Sequence, residues 1–337
     1  MIVAGRTGTL ALAAAALCIA LLPLFAEPYY LQLASTMLVT AMFALSLQLL
    51  VGGTGLVSLA HGAFFGVGAY AVYLVGLIDP ASSVLVTLPV AAALAGFAAL
   101  VVGALALRTS GFFFLMTTLA FGQMLFFLYH DTPLGGGADG VFVTRPALSL
   151  LGFEYAVGRR DRPAVLLLLN LAVLAAMYAG LAALFRTLFG RALLGIRAND
   201  HRMRSMGFVT YRLKLASYVV AGALAGVAGH MWAMTEAFVT PELLGWHRSV
   251  EGLLAVLLGG LGALHGPIIG AFVYIGLGEV AQSVTERQHL VQGLVILFVV
   301  LVLPRGLVGL SLPPRRLSQP VPDGTDHATD HATDHPA

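Results

Sequence analysis

The sequence has a single lysine, a single cysteine and few charges, since only 10% of its 337 residues are Asp, Glu, Lys or Arg. Leu213 precedes the lysine, Lys214, so the phosphate-binding motif G-x-x-x-x-G-K-[ST] cannot occur. The chain therefore does not bind ATP through a Walker loop of its own. The lone Cys18 excludes an internal disulfide framework.

Enzyme motifs are missing as well. Neither H-E-x-x-H nor G-x-S-x-G occurs, so helical metalloprotease chemistry and a nucleophile elbow are both unsupported. The formal net charge of +2 indicates no nucleic-acid partner. The three histidines of the C-terminal repeat T-D-H-A-T-D-H-A-T-D-H-P are interpreted as part of a solvated tail, and no metal site is predicted.

What the sequence has in abundance is apolar runs, with 59% hydrophobic residues. A helix of about 20 apolar residues crosses the hydrocarbon core, where backbone polar groups must be paired within the segment. The sequence predicts an all-α polytopic membrane protein of about ten transmembrane or re-entrant helices. They lie near residues 8–26, 31–51, 62–78, 83–107, 112–130, 163–185, 213–236, 249–262, 267–284 and 289–303. The eighth is short and edged by glycine, which suggests a re-entrant or broken helix.

The distribution of positive charge predicts the orientation. Seven of the 18 Lys and Arg residues lie in 186–214, and placing them in hydrocarbon would cost roughly 17–25 kcal/mol. This segment is therefore predicted to be cytoplasmic, and alternation puts both termini on the same side. Residues 1–305 form the predicted transmembrane permease domain, with a first span that is retained rather than cleaved, and 306–337 form a disordered cytoplasmic tail.

A few polar residues in or beside the predicted spans are candidates for a transport path or gate. His61 and His265 each begin an H-G-x-x-x-G pattern, and Thr117, Gln123 and Glu251 lie in or near apolar runs. Ionisable and polar groups at membrane depth are costly and suggest function. The alternative is that each makes a hydrogen bond between helices or packs in the interior.

The basic segment itself predicts a short amphipathic helix over 196–206, with Ile196, Met203 and Met206 at helical spacing and Gly207 as its C-terminal stop. Such a helix can dock in a groove of a partner protein. The alternative is a cytoplasmic loop without a partner.

Several motifs surround this helix. They are G-R-A-L at 190–193, G-I-R at 195–197, Gly207, Y-R-L-K-L at 211–215, A-G-A-L-A-G-V-A-G at 221–229 and the glycine-rich passages at 52–70, 111–124 and 240–271. Together they resemble the permease subunits of ABC importers for branched-chain amino acids, over about residues 30–305. One departure is the basic passage N-D-H-R-M-R-S-M at 199–206, where that family usually has acidic and alanine-rich residues.

The resemblance implies a pore-forming subunit of the bacterial inner membrane with no enzymatic activity and no cofactor of its own. Its expected partners are a second permease, two cytoplasmic ATPase subunits that bind ATP and Mg, a solute-binding protein and the lipid bilayer. The residues implied in coupling to the ATPase are Gly190, Arg191, Arg197, Asp200 and Gly207. Importers of urea and short-chain amides use similar permeases, so the substrate stays open between these classes.

Two other classes compete with this interpretation. An ion-coupled secondary transporter would need buried ion-coupling groups, for which Glu251 is the only candidate. An intramembrane enzyme would need a catalytic motif, and the sequence offers none.

Overall fold

The computed structural model describes residues 6–79, 82–146, 149–150, 153–154, 161–284, 287–302 and 306–308. The predicted disordered tail lies almost entirely outside these residues. The described part contains twelve α-helices, and their bounds follow in chain order. They are α1 Arg6–Leu21, α2 Pro28–Gly53, α3 His61–Ile78, α4 Val84–Ala106, α5 Phe112–His130, α6 Arg162–Arg186, α7 Leu188–Ala198, α8 Asp200–Ser205, α9 Thr210–Glu236, α10 Trp246–Gly259, α11 Gly266–Val284 and α12 Gln288–Val302. Short 3₁₀ turns occur at Leu22–Leu24, Pro133–Gly135 and Pro241–Leu244.

Each of the ten predicted apolar segments overlaps one of these helices. Within the described residues, six helices are long and apolar enough to cross a membrane, namely α2, α3, α4, α5, α6 and α9. The protein is therefore an all-α polytopic membrane protein, as predicted. The count of about ten spans and the cytoplasmic location of the termini remain predictions.

The bundle has two distinguishable ends. At one end, α7 packs beside the last residues of α2, where Leu193 lies 3.9 Å from the position of a Cβ on Gly53, and α8 packs on α7 and α9. At the other end, strand β1 (Val141–Phe142) pairs antiparallel with β4 (Phe238–Val239), just beyond the end of α9. A second small hairpin joins β2 (Ser149–Leu150) to β3 (Phe153–Glu154). These are called the α7–α8 end and the β1–β4 end below.

Arg145, a basic residue in the segment between α5 and α6, has a structural role at the β1–β4 end. Its Nε and Nη2 donate hydrogen bonds to the carbonyl oxygens of Met234 and Thr235, both at 2.7 Å. The last carbonyls of a helix have no partner within the helix, and the helix dipole favours a cation there. Arg145 thus caps α9.

Helix α9 packs against α3 and α4 through small residues. A Cβ on Gly226 would lie 2.3 Å from the Cβ of Ala95, and one on Gly229 would lie 1.8 Å from the carbonyl oxygen of Phe65. Small residues let membrane helices approach this closely, and the resulting van der Waals contacts replace a hydrophobic driving force that lipid does not supply. The glycine-rich passage 221–229 therefore places the backbones of three helices in direct contact.

Two helices begin inside the bundle rather than at one of its ends. The chain from 54 to 60 is mostly irregular and leads to the start of α3, while the 3₁₀ turn Pro241–Leu244 leads to the start of α10. The two helix starts meet: the Gly62 N–H donates to Ser249 Oγ at 2.7 Å, and that hydroxyl donates to the Leu59 carbonyl oxygen at 2.7 Å. Interrupted helices of this kind form binding sites in transporters.

Candidate functional site

The basic segment folds as two helices, α7 and α8, so the prediction of one helix over 196–206 was wrong in its bounds. The break is at Asn199, whose side-chain oxygen accepts a hydrogen bond from the Arg202 N–H at 2.9 Å and so caps α8. Asparagine is a preferred N-cap because its short side chain satisfies a free backbone donor of the first turn. The spacing of apolar residues in the sequence gave no indication of this break between α7 and α8.

The predicted stop at Gly207 is confirmed. Gly207 has a φ of +87°, its N–H donates to the carbonyl of Arg204 at 2.9 Å, and the Phe208 N–H donates to that of Met203 at 3.1 Å. This pair of bonds is the Schellman arrangement, in which glycine adopts the left-handed conformation without steric cost.

Gly190 makes the corner between α6 and α7. A Cβ at this position would lie 2.3 Å from the carbonyl oxygen of Leu184 and 2.5 Å from the Cα of Phe185. The N–H of Gly190 also donates to Oγ1 of Thr187, the N-cap of α7, at 3.3 Å. Only glycine allows the chain to fold back this tightly onto α6.

Arg197 ties α7 to α2. Its Nη1 donates to the carbonyl oxygen of Gly52 at 2.6 Å, at the end of α2 where the helix dipole attracts a cation. On the same helix Leu193 and Ile196 are buried against the bundle. Arg191, in contrast, is exposed, and its Nη2 donates to the Arg186 carbonyl at 3.2 Å.

Asp200 ties α8 to α9. Its Oδ2 lies 2.7 Å from Nη2 of Arg204 and 3.2 Å from Nζ of Lys214, the only lysine of the chain. Partial burial raises the pKa of the Asp200 carboxyl, but hydrogen bonds and charge from Lys214, Thr210 and Arg204 outweigh it and hold this pKa below its ordinary value. The carboxylate is therefore ionised at neutral pH and joins the two helices.

The outer face of the segment is partly apolar. Ile196 faces the bundle with 3% exposure while Met206 is 64% exposed, so the predicted stripe of Ile196, Met203 and Met206 does not form one face. The exposed apolar side chains are instead those of Leu188, Met206, Phe208 and Val209. Exposed apolar groups among cations, outside the spans, are typical of a protein-binding surface.

The five predicted path residues lie on three helices and in one turn. His61 is fully buried at the start of α3, with Nε2 at 3.2 Å from Ser46 Oγ. Thr117 donates to the Phe113 carbonyl of its own helix at 2.7 Å, and Gln123 is half-buried six residues further along α5. His265 lies in the turn before α11, and Glu251 lies on α10.

Glu251 has a partner that the sequence interpretation missed. Its Oε2 lies 2.7 Å from Nη1 of Arg248, whose side chain is only 11% exposed. The guanidinium lies over the rings of Trp232 and Phe65, 4.6 and 4.8 Å from their centroids. The sequence did contain an indication of a special role for Arg248, because it is the only Lys or Arg between Lys214 and Arg287. Arg248 lies one residue before the predicted span, however, and was therefore not considered as a residue within the membrane.

Residues 29–300 match a protein family described as the permease component of branched-chain amino acid transport systems. The chain belongs to this permease family. No solved structure matches it.

Individual relatives of this permease agree with the family assignment. The high-affinity branched-chain amino acid transport system permease protein LivM of Escherichia coli (strain K12) is 27% identical over 309 residues, covering 85% of this chain and 71% of LivM. LivH of the same organism is 30% identical over 116 residues, covering 33% and 37%. The autoinducer 2 import system permease protein LsrC of Klebsiella pneumoniae is 33% identical over 103 residues, covering 30% of each chain.

As a member of this family, the permease is a multi-pass membrane protein and a transport subunit rather than an enzyme.

Proposed function

We propose that this permease forms one half of the translocation path of an ATP-driven importer in the bacterial inner membrane, and that the α7–α8 segment binds a cytoplasmic ATPase subunit. The observation that carries the proposal is the attachment of this exposed segment to three helices of the bundle. The second half of the path is a second permease, since both LivM and LivH are relatives of this chain. Two ATPase subunits and a solute-binding protein complete the importer.

The attachments allow the α7–α8 segment to transmit movement to the bundle. Gly190 holds it against α6, Arg197 holds it to the end of α2, and Asp200 holds it to the start of α9. A displacement of the segment by a closing ATPase dimer therefore moves three helices together. Interfaces between packed helices change between discrete arrangements rather than deforming continuously, which is what alternating access requires.

The exposed surface of the α7–α8 segment indicates which kind of partner surface it binds. Arg186, Arg191 and Arg202 are exposed beside the apolar side chains of Leu188 and Met206. Charge complementarity favours an acidic groove with an apolar floor on the ATPase. An acidic groove would also complement the basic passage 199–206, which departs from the usual family pattern.

The transported substrates are branched-chain or related small amino acids, with ATP and Mg bound by the partner subunits. The test is reconstitution of the complete importer in proteoliposomes, with leucine uptake measured with and without enclosed ATP. Uptake is expected to need ATP and binding protein and to persist when the proton gradient is collapsed. ATP-independent uptake by the purified permease alone would contradict the proposal and favour a secondary transporter.

A further inference from the structure

Arg248 is a buried cation whose hydrogen-bonding capacity is mostly unused. Nη1 pairs with Glu251, but Nε and Nη2 are shielded from solvent and have no hydrogen-bond partner in the part of the chain that the structure describes. Buried donors without partners are destabilising, and for a charged group the cost is larger. A fold that keeps such a group gains something from it that stability alone does not explain.

The surroundings of Arg248 are aromatic. Besides Trp232 and Phe65, the ring of Phe43 lies 5.9 Å from the guanidinium carbon. Phe43 is near the middle of α2, and Trp232 is one turn before the end of α9. The guanidinium therefore lies between the midpoint of the bundle and its β1–β4 end, where a charge needs a functional reason.

Glu251 shows which way this site faces. Its side chain is 37% exposed in the isolated permease, although α10 lies within the bundle. A carboxylate facing hydrocarbon would be costly, so this side of α10 faces a water-filled path or the second permease rather than lipid.

The helix geometry adds positive potential at the same place. Arg248 is in the first turn of α10, and the start of α10 meets the start of α3 through Ser249 and Gly62. The positive dipole ends of two helices therefore converge beside the guanidinium, an arrangement that attracts anionic groups in transporters with interrupted helices.

We propose that Arg248 and Glu251 bind the zwitterionic group of an amino acid as it passes through the permease. Arg248 binds the α-carboxylate, Glu251 binds the α-ammonium, and the rings of Phe43, Phe65 and Trp232 contact the apolar side chain. This inference rests on the proposed importer function and specifies its substrate class.

The ion pair seen here is the closed form of that site. A zwitterion replaces one internal ion pair by two, so the net charge in the bundle does not change when substrate enters. The free Nε and Nη2 complete a fork that matches the two oxygens of a carboxylate. Opening requires the helices around Arg248 to move apart, which alternating access supplies. Urea and short-chain amides lack a carboxylate and would leave the fork unsatisfied.

The test compares variants of the complete importer in proteoliposomes, with leucine as the probe. Arg248→Gln is expected to lower leucine import at least about tenfold, and Glu251→Gln to lower it several-fold. Arg248→Lys keeps the charge and the ion pair but not the fork, so import should fall about threefold or more. The matched control is Arg108→Gln, an exposed arginine between α4 and α5, whose import should equal that of the wild type.

A second variant distinguishes substrate binding from a purely structural role of the ion pair. In the exchange variant Arg248→Glu with Glu251→Arg an ion pair is kept, but the carboxylate takes the place of the guanidinium beside the aromatic rings. Import should remain lost, and recovery to wild-type rates would overturn the proposal. If the importer with Arg248→Gln does not assemble, the proposal is tested with Arg248→Lys instead. Unchanged leucine import in Arg248→Lys would also overturn the proposal. The proposed importer function fails separately, if ATP hydrolysis by the wild-type complex does not respond to leucine-loaded binding protein.

Discussion

Arg197 on α7 and Gly52 at the end of α2 are joined by a hydrogen bond of 2.6 Å, although 145 residues separate them in the chain. α2 is the most buried of the helices long enough to span a membrane, with 89% of its apolar window inside the bundle. The contact therefore connects an exposed segment of the described chain to its most central helix. This connection makes the α7–α8 segment suitable for transmitting movement.

Removing this contact should uncouple transport from ATP hydrolysis. In the assembled importer, Arg197→Ala is expected to lower leucine import about tenfold, because the free carbonyls of α2 lose their charged donor and α7 loses its attachment. The measurement is leucine uptake per ATP hydrolysed. Arg108→Ala serves as the control, and wild-type coupling in Arg197→Ala would contradict the role assigned to this arginine.

The corner at Gly190 should tolerate no side chain. Gly190→Ala places a Cβ within 2.3 Å of the Leu184 carbonyl oxygen, so α7 must shift away from α6. We expect a loss of stability of about 1–3 kcal/mol and impaired import. Gly180→Ala on α6 is the matched control, since beyond the adjacent backbone of α6 no described atom lies within 4 Å of the position that its added methyl group would take. Thermal unfolding of the detergent-solubilised permease would reveal the difference, and equal midpoints would refute the steric argument.

The ion pairs of Asp200 should make a small contribution to stability that depends on pH. Its pKa in the folded protein is below the ordinary value of 3.8, so the contribution is fully present above that value and is lost as the pH falls through the lower, folded pKa. Asp200→Asn should therefore lower the free energy of unfolding at neutral pH, by less than about 1 kcal/mol because the group is partly solvated.

The same comparison at acidic pH is the check. Below pH 3.8 the difference between wild type and Asp200→Asn should shrink as the wild-type carboxylate becomes protonated. A difference that stays constant throughout the acid range would show that the ion pairs with Lys214 and Arg204 are not its cause.

The apolar part of the segment surface should contribute to ATPase binding. Met206 is 64% exposed, and Met206→Glu places a negative charge on a surface proposed to meet an acidic groove. We expect recovery of the ATPase with the permease to fall about tenfold or more. Met206→Leu keeps an apolar group of similar size and should bind normally. Equal recovery of both variants would place the docking surface elsewhere.

Much of the architecture was predictable because membrane burial leaves a one-dimensional signal. Every predicted apolar run overlaps a helix, since the hydrocarbon core requires both apolar side chains and internally paired backbone. Gly207 was predictable for a local reason as well, because a glycine after a helical pattern is the usual left-handed stop. The break at Asn199 was missed because capping by a single side chain leaves no periodic signal.

The residues that line a transport path were harder to predict from the sequence. His61, Thr117, Gln123, Glu251 and His265 were selected one at a time for polarity, and their role in a transport path stays a prediction. Arg248 was overlooked because its burial is produced by rings on α2, α3 and α9, which are distant in sequence.

By itself, the sequence determined that this chain is a helical membrane protein with a basic segment that must stay in water, because the energy of placing charge and backbone in hydrocarbon depends on composition and order alone. The tertiary structure decided which charges became buried and which helix ends met. Those outcomes depend on contacts between helices, such as Arg197 with Gly52 and Ser249 with Gly62, that only close packing of small residues brings within reach.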